Sequence, residues 1–249
     1  MSKYVLVPDS FKGTMTSREI CEIMQHAIER IDSDAKIISV PVADGGEGSV
    51  DAFLSALGGK RKAITVTGPH FEKLSSSYGI TADGTAVIEM SACAGLPLVY
   101  GNKNPEITTT YGVGELICNA ARSGAKRIVI GLGGSATNDG GCGAAAAAGI
   151  KFYDKSGKSF IPVGRTLKDI ASIDYSGLDS ALSGVSISAM CDVDNPLLGK
   201  TGAANVFGPQ KGANVAMIAR LDAGLKHLSE VSGKAKLASM PSAGAAGGM

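Results

Sequence analysis

No sign of charge prevails in this sequence. Lys and Arg number 24 against 23 Asp and Glu, a formal net charge of +1. Nucleic acids and anionic membranes attract a basic surplus, so the balance removes the electrostatic footprint of either and points to small substrates. Long apolar runs are absent as well. Nothing approaches the roughly 20 apolar residues that span a bilayer, and the opening MSKYVLVPDS has no apolar signal core. The cysteines are few and scattered. Cys21, Cys93, Cys118, Cys142 and Cys191 are odd in number and form no C-x-x-C pair. That argues against a disulfide framework and a structural zinc site, and for a reducing compartment, the cytoplasm. His26, His70 and His227 have neither metal-ligand nor triad spacing, no G-x-S-x-G elbow suggests a hydrolase, and no internal repeat or low-complexity linker is visible.

What is present is globular. With 44% hydrophobic and 19% charged residues, 249 residues can bury a large core as one domain or two. Tyr4 to Val7 reads as a buried strand closed by Pro8. Thr16-Ser-Arg-Glu19 is a capping box, so a helix follows, with Ile20, Ile23, Met24, Ala27, Ile28 and Ile31 on one face. Lys36 to Val42 is the next strand, and Val50 to Leu57 a second helix stopped by Gly58-Gly59. This alternation predicts a parallel sheet flanked by helices. After about Lys62 the period changes to two. Ala63 to Thr67, Ser77 to Thr81 and Thr85 to Glu89 read as antiparallel strands, the last two joined by an Asp83-Gly84 turn. Helices and strands then alternate again: helix Val113 to Ser123, strand Arg127 to Leu132, a helix ending at Ala148, strand Lys151 to Tyr153 and strand Val185 to Met190. A domain boundary is expected near residue 65, dividing 1–65 from 66–249.

Four loops carry the chemistry. Gly131-Leu-Gly-Gly-Ser-Ala-Thr-Asn-Asp-Gly-Gly141 joins a strand to a helix. Gly131-x-Gly133-x-x-Ala136 fits the dinucleotide fingerprint, with Asp154 about twenty residues on, so a Rossmann NAD-dependent oxidoreductase is one reading. Against it, Asp139 stands at the helix start, where a carboxylate repels a bare pyrophosphate. The Walker pattern fails because no Lys-Ser or Lys-Thr follows the glycines, and a tight packing turn explains the same glycines without any ligand. Asp9-Ser-Phe-Lys-Gly13, Asp44-Gly-Gly-Glu-Gly48 and Asp192-Val-Asp-Asn-Pro196 each follow a strand. Strand carboxyl ends are where open α/β sheets bind ligands, so the first two should share a cleft, and Mg²⁺ with phosphate makes clustered carboxylates tolerable. Asp192 does not begin an EF-hand: Leu197 replaces the loop glycine and Ala203 the closing glutamate.

DSFKGTMTS, PVADGGEGSVDA, TTYGVGELI, GLGGSATNDGG, CDVDNPLLGKTGA and FGPQKGA, in that order, resemble the glycerate kinase family. The resemblance implies ATP-dependent phosphorylation of D-glycerate to 2-phosphoglycerate with Mg²⁺, and no nucleic-acid or membrane partner. It also implies a flavodoxin-like parallel-sheet domain, incomplete here, with a second mixed α/β domain inserted. Carried onto this sequence, Lys12, Asp192 and Asp44 are the catalytic candidates, and Ser10, Gly133, Gly134, Ser135, Thr137 and Asn138 the nucleotide-binding ones. Asp139, Asp194 and Glu47 are the metal candidates, and Asp192 or Asp194 either binds Mg²⁺ or takes the hydroxyl proton. The closing Pro241-Ser-Ala-Gly-Ala-Ala-Gly-Gly-Met249 resembles the start of the family's next glycine-rich block, so the chain is expected to be truncated and its first domain to lack strands. A non-catalytic remnant that binds nucleotide or glycerate is the alternative.

Overall fold

The computed structural model describes residues 1–11 and 14–249. Lys12 lies outside the described residues.

The chain is a mixed α/β protein with a parallel pair of strands and a five-stranded mixed sheet. The pair is β1 (Lys3–Leu6) and β2 (Lys36–Ser39), with Lys3 opposite Lys36 and Leu6 opposite Ser39. Between them runs α1 (Ser17–Glu29), started by the expected capping box: Thr16 Oγ1 accepts the Glu19 amide at 3.2 Å and Glu19 Oε2 accepts the Thr16 amide at 2.7 Å. Ser17 ties the unit together, its hydroxyl donating to Pro8 O at 2.6 Å and accepting from the Val42 amide at 3.0 Å. The apolar stripe of α1 is only partly covered. Ile20 and Cys21 are buried, whereas Ile23 and Met24 are exposed.

Next comes α2 (Ser49–Leu57), which stops at Gly58 (φ 68°). Its main partners are strands of the larger sheet: β3 (Gly59–Thr67), β4 (Lys73–Thr81) and β5 (Ala86–Glu89). Val50 and Leu54 rest on Gly79 of β4, where an added Cβ would lie 2.9 Å from Val50 Cγ1. The carboxylate of Glu89, at the end of β5, accepts the Val50 amide at 2.6 Å and so supplies the N-terminal cap that Gly48 has no side chain to give.

After the short α3 (Ser91–Ala94) come α4 (Tyr111–Arg122), β6 (Arg127–Gly131) and α5 (Cys142–Ala147). A small sheet follows, β7 (Lys151–Tyr153) flanked by β8 (Ser159–Phe160) and β9 (Ser172–Asp174), and then β10 (Ser186–Met190), α6 (Ala203–Phe207) and α7 (Val215–Val231). The large sheet has the order β10-β6-β5-β4-β3. The alternating segments pair antiparallel as expected, but β5 also pairs parallel with β6, and all four of its residues are buried. The sheet therefore changes from antiparallel to parallel at its most covered strand. Tyr78, Ile88, Met90, Val113, Leu116, Ile128 and Ile130 form the main core, and Phe152, Leu167, Ile170 and Leu225 a second one. Residue 65 falls inside β3, which begins at Gly59.

Candidate active site

Parallel neighbours β6 and β10 point their carboxyl ends the same way, so the loops after them lie side by side. Leu132 donates its amide to Met190 O at 3.1 Å. The loop after β2 comes across from the other sheet, and Gly45 O accepts the Gly133 amide at 3.0 Å. Glycine makes this meeting sterically feasible. An added Cβ on Gly131 would sit 2.3 Å from Gly45 O, and one on Gly133 would sit 2.7 Å from Gly46 Cα. The glycine-rich turn is thus built first to admit another loop. Around the junction lies a cavity of about 160 Å³ whose wall includes Asp44, Gly133, Gly134, Ser135 and Asp192. Asp44 Oδ1 accepts the Gly46 amide at 3.0 Å, which holds the acidic loop in its bend.

Asp139 points away from this cavity into the protein. It is fully buried, and its oxygens accept from the Thr110 amide (2.8 Å), Thr110 Oγ1 (2.8 Å), and the Gly141 and Gly143 amides (3.2 Å each). Burial pushes its carboxyl pKa up, and the bonds from Thr110, Gly143 and Gly141 oppose the shift. The Gly141 and Gly143 amides, at the start of α5, are thus taken by Asp139. Three of these bonds fall on Oδ2 and one on Oδ1, so Asp139 serves as a cap at the start of α5.

Lys211, unremarked in the sequence beyond its place in FGPQKGA, is 1% exposed and lines the cavity. Its Nζ donates to Thr137 O at 2.6 Å. Burial lowers its pKa to about 7, against the pull of the Asp139 charge. Thr137 and Asn138 are also fully buried. Thr137 Oγ1 and both amide atoms of Asn138 have no hydrogen-bond partner among the described residues. Pressed against them is the closing glycine-rich stretch: Gly247 O accepts the Gly140 amide at 3.1 Å, and Ala245 and Ala246 complete the cavity wall.

The expected residues are therefore distributed. Asp44, Gly133, Gly134, Ser135 and Asp192 share one cavity; Thr137, Asn138 and Asp139 lie beneath it; Asp194 is exposed on the loop after β10. Ser10 and Glu47 line a different cavity, of about 630 Å³, between the N-terminal end of α1 and α2. The loop 44–48 bridges the two, with Asp44 on one side and Glu47 on the other. Among the described residues no three His, Cys, Asp or Glu side chains cluster as a metal site. Asp154 accepts from the Ser156 and Lys158 amides in the β7–β8 turn, so it serves that hairpin.

Sequence comparison decides the family. The model of the glycerate kinase family matches residues 4–249. The chain belongs to the glycerate kinase family. It is 48% identical over 252 residues to glycerate 2-kinase of Escherichia coli K12, covering 99% of this chain and 66% of that protein. With glycerate kinase of Bacillus subtilis 168 the identity is 46%, with the same coverage. A crystal structure from Salmonella typhimurium LT2, assigned to glycerate kinase 2, superposes with a TM-score of 0.88 at 42% identity, covering all of this chain and 68% of that one. The chain thus spans about two thirds of the length of these relatives. This membership overturns the dinucleotide-dehydrogenase reading of the glycine turn. No helix among the described residues is long and apolar enough to cross a membrane.

Proposed function

We propose that this chain is the catalytic-site-bearing part of a glycerate kinase that moves the terminal phosphoryl group of ATP to D-glycerate, giving 2-phosphoglycerate and ADP. The observation that carries the proposal is the convergence of the loops after β2, β6 and β10 on one cavity, which brings two carboxylates and a glycine-rich backbone wall together. Phosphoryl transfer asks for little covalent chemistry from a protein. It needs the acceptor oxygen and the phosphorus held in line, and the charge on the transferring oxygens neutralised. Asp192 accepts the proton of the glycerate hydroxyl as its oxygen bonds to phosphorus and the bond to ADP breaks. The Gly134 and Ser135 amides stabilise the oxygens, and Lys12 supplies a cation from the loop after β1.

A Mg²⁺ ion arriving with ATP commonly uses only one or two protein carboxylates, so Asp44 would suit it where a three-carboxylate cage is absent among the described residues, which leaves Asp192 for the proton. When bound, Mg²⁺ neutralises phosphate charge. In this reading Asp139 positions the turn, Thr137 and Asn138 lie below it, Asp194 is exposed on the loop after β10, and Glu47 lines the neighbouring cavity. The strands β1 and β2 belong to a flavodoxin-like domain, into which the larger unit is inserted. A coupled assay for ADP with ATP, Mg²⁺ and D-glycerate, run on a chain extended to the length of the relatives, tests the proposal. Glycerate-dependent ADP release supports it, and none at any Mg²⁺ concentration rejects it.

A further inference from the structure

This inference deepens the reading above and rests on it. A lysine 1% exposed with one hydrogen bond is an unusual object, because burying an ammonium costs heavily unless its donors are met. An ammonium carries three donors, and Thr137 O takes one. The oxygens of Asp139, whose charge acts on Lys211, already hold four donors from Thr110, Gly141 and Gly143. Lys211 nevertheless lines the cavity, whose wall also includes Gly134 and Ser135, and the amides of these two donate to no described residue. The turn beneath contains the unpartnered side chains of Thr137 and Asn138. A cation and two amides with no acceptor among the described residues, in the wall of one cavity, define a preference for an oxyanion.

We propose that Lys211 Nζ, with the amides of Gly134 and Ser135, binds the oxyanion of the small substrate in this cavity. At about 160 Å³ the cavity is smaller than the roughly 300–1,000 Å³ that accommodates larger organic ligands, so its occupant is a three-carbon hydroxy acid or a single phosphoryl group rather than a nucleoside. Carboxylate and phosphoryl oxygens share the recognising chemistry, and two probes separate them. D-glycerate and inorganic phosphate are titrated separately into the 249-residue protein, following the amide signals of Gly133 to Ser135 and the Lys211 ammonium signal by NMR.

The informative variant is Lys211→Gln, which can still donate to Thr137 O but carries no charge. Expected is saturable binding of one probe, weakened at least 10-fold by Lys211→Gln; the tighter probe assigns the group as carboxylate or phosphoryl. Unchanged affinity in Lys211→Gln would show that Lys211 is only a strut, and failure of both probes to shift the signals overturns the site. Should Lys211→Gln not fold, the wild-type ammonium signal decides: it moves on binding if the inference holds and stays still if it does not. The kinase reading fails separately. Lys211-dependent binding without ATP turnover in the extended chain keeps the oxyanion site and rejects the reaction, whereas turnover indifferent to Lys211→Gln keeps the reaction and rejects the site.

Discussion

Residues 1–48 and residues 59–249 are built from similar elements, yet their apolar side chains have different fates. In β1, β2 and α1 and the chain beside them, Val5 (57%), Val7 (53%), Ile31 (90%) and Val40 (41%) are exposed; in the larger unit Val66, Tyr78, Val87, Ile88, Val113 and Leu116 are at 0%. The capping box of α1 is complete and the register of β1 with β2 continuous, so the difference does not come from poor local signals. It comes from the number of layers. Two strands and one helix cannot cover each other's apolar faces, while five strands with α2 on one side and α4 against the core can. Elements form from local pattern, but stability requires a second covered face. Because Gly45 and Asp44 approach the cavity from the smaller unit, the site inherits that weakness.

The comparison can be pressed hardest through chain length. A protein extended to the length of its relatives should turn over D-glycerate at least about 100-fold faster than the 249-residue chain, since a displacement of about 1 Å between reacting groups costs rate on that scale. Hydrogen exchange provides the structural half of the test. Amides of α1, β1 and β2 should exchange rapidly in the shorter chain, while β5 and α4 stay protected and α2, seated on β4 and β5, follows them. Slow exchange in β1 and β2, together with equal turnover, would remove the asymmetry between the units.

Within the extended protein, Asp192→Asn should lower kcat by roughly 10²–10⁴-fold, the range for loss of a positioned base, with the circular dichroism spectrum unchanged. Near-normal turnover would move the proton acceptor elsewhere. Asp139→Ala should act differently, as a stability defect of the larger unit. It leaves the amides of Thr110, Gly141 and Gly143 without their acceptor, at a cost on the order of 3 kcal/mol in urea unfolding. The smallest effect belongs to Thr16→Ala. Loss of this cap is worth about 1 kcal/mol to α1. In the 249-residue chain it should speed exchange of the α1 amides without moving the main unfolding midpoint; a shift of that midpoint would show that the two units melt together.

Much of the fold was legible because the signals are short-range. The Thr16 to Glu19 box, the stop at Gly58, the Asp83-Gly84 turn and the alternation in β4 each depend on neighbours within a few residues. The assignment of α2 was not legible. Its stripe of Val50, Phe53, Leu54 and Leu57 states that one face is covered, but not which sheet covers it, and Gly79 of β4 is the receiving groove. β5 shows the same limit, since its pattern predicts pairing with β4 and is silent about the parallel contact with β6.

For the site, the sequence by itself determined the chemistry on offer: acidic and glycine-rich loops at the ends of strands, in an order that resembles the glycerate kinase family. Backbone rules place such loops after strands wherever the sheet lies. Only the tertiary structure decided which groups face one another. It turned Asp139 inward to cap α5, set Asp44 and Glu47 on opposite sides of one loop, and buried Lys211 beside Thr137 O. The physical reason is desolvation. A lysine in a Gly-Pro-Gln-Lys-Gly turn is an ordinary solvated cation until distant segments close over it, and nothing within a few residues of Lys211 records that Thr137, Asp139 and Ala246 will be those segments.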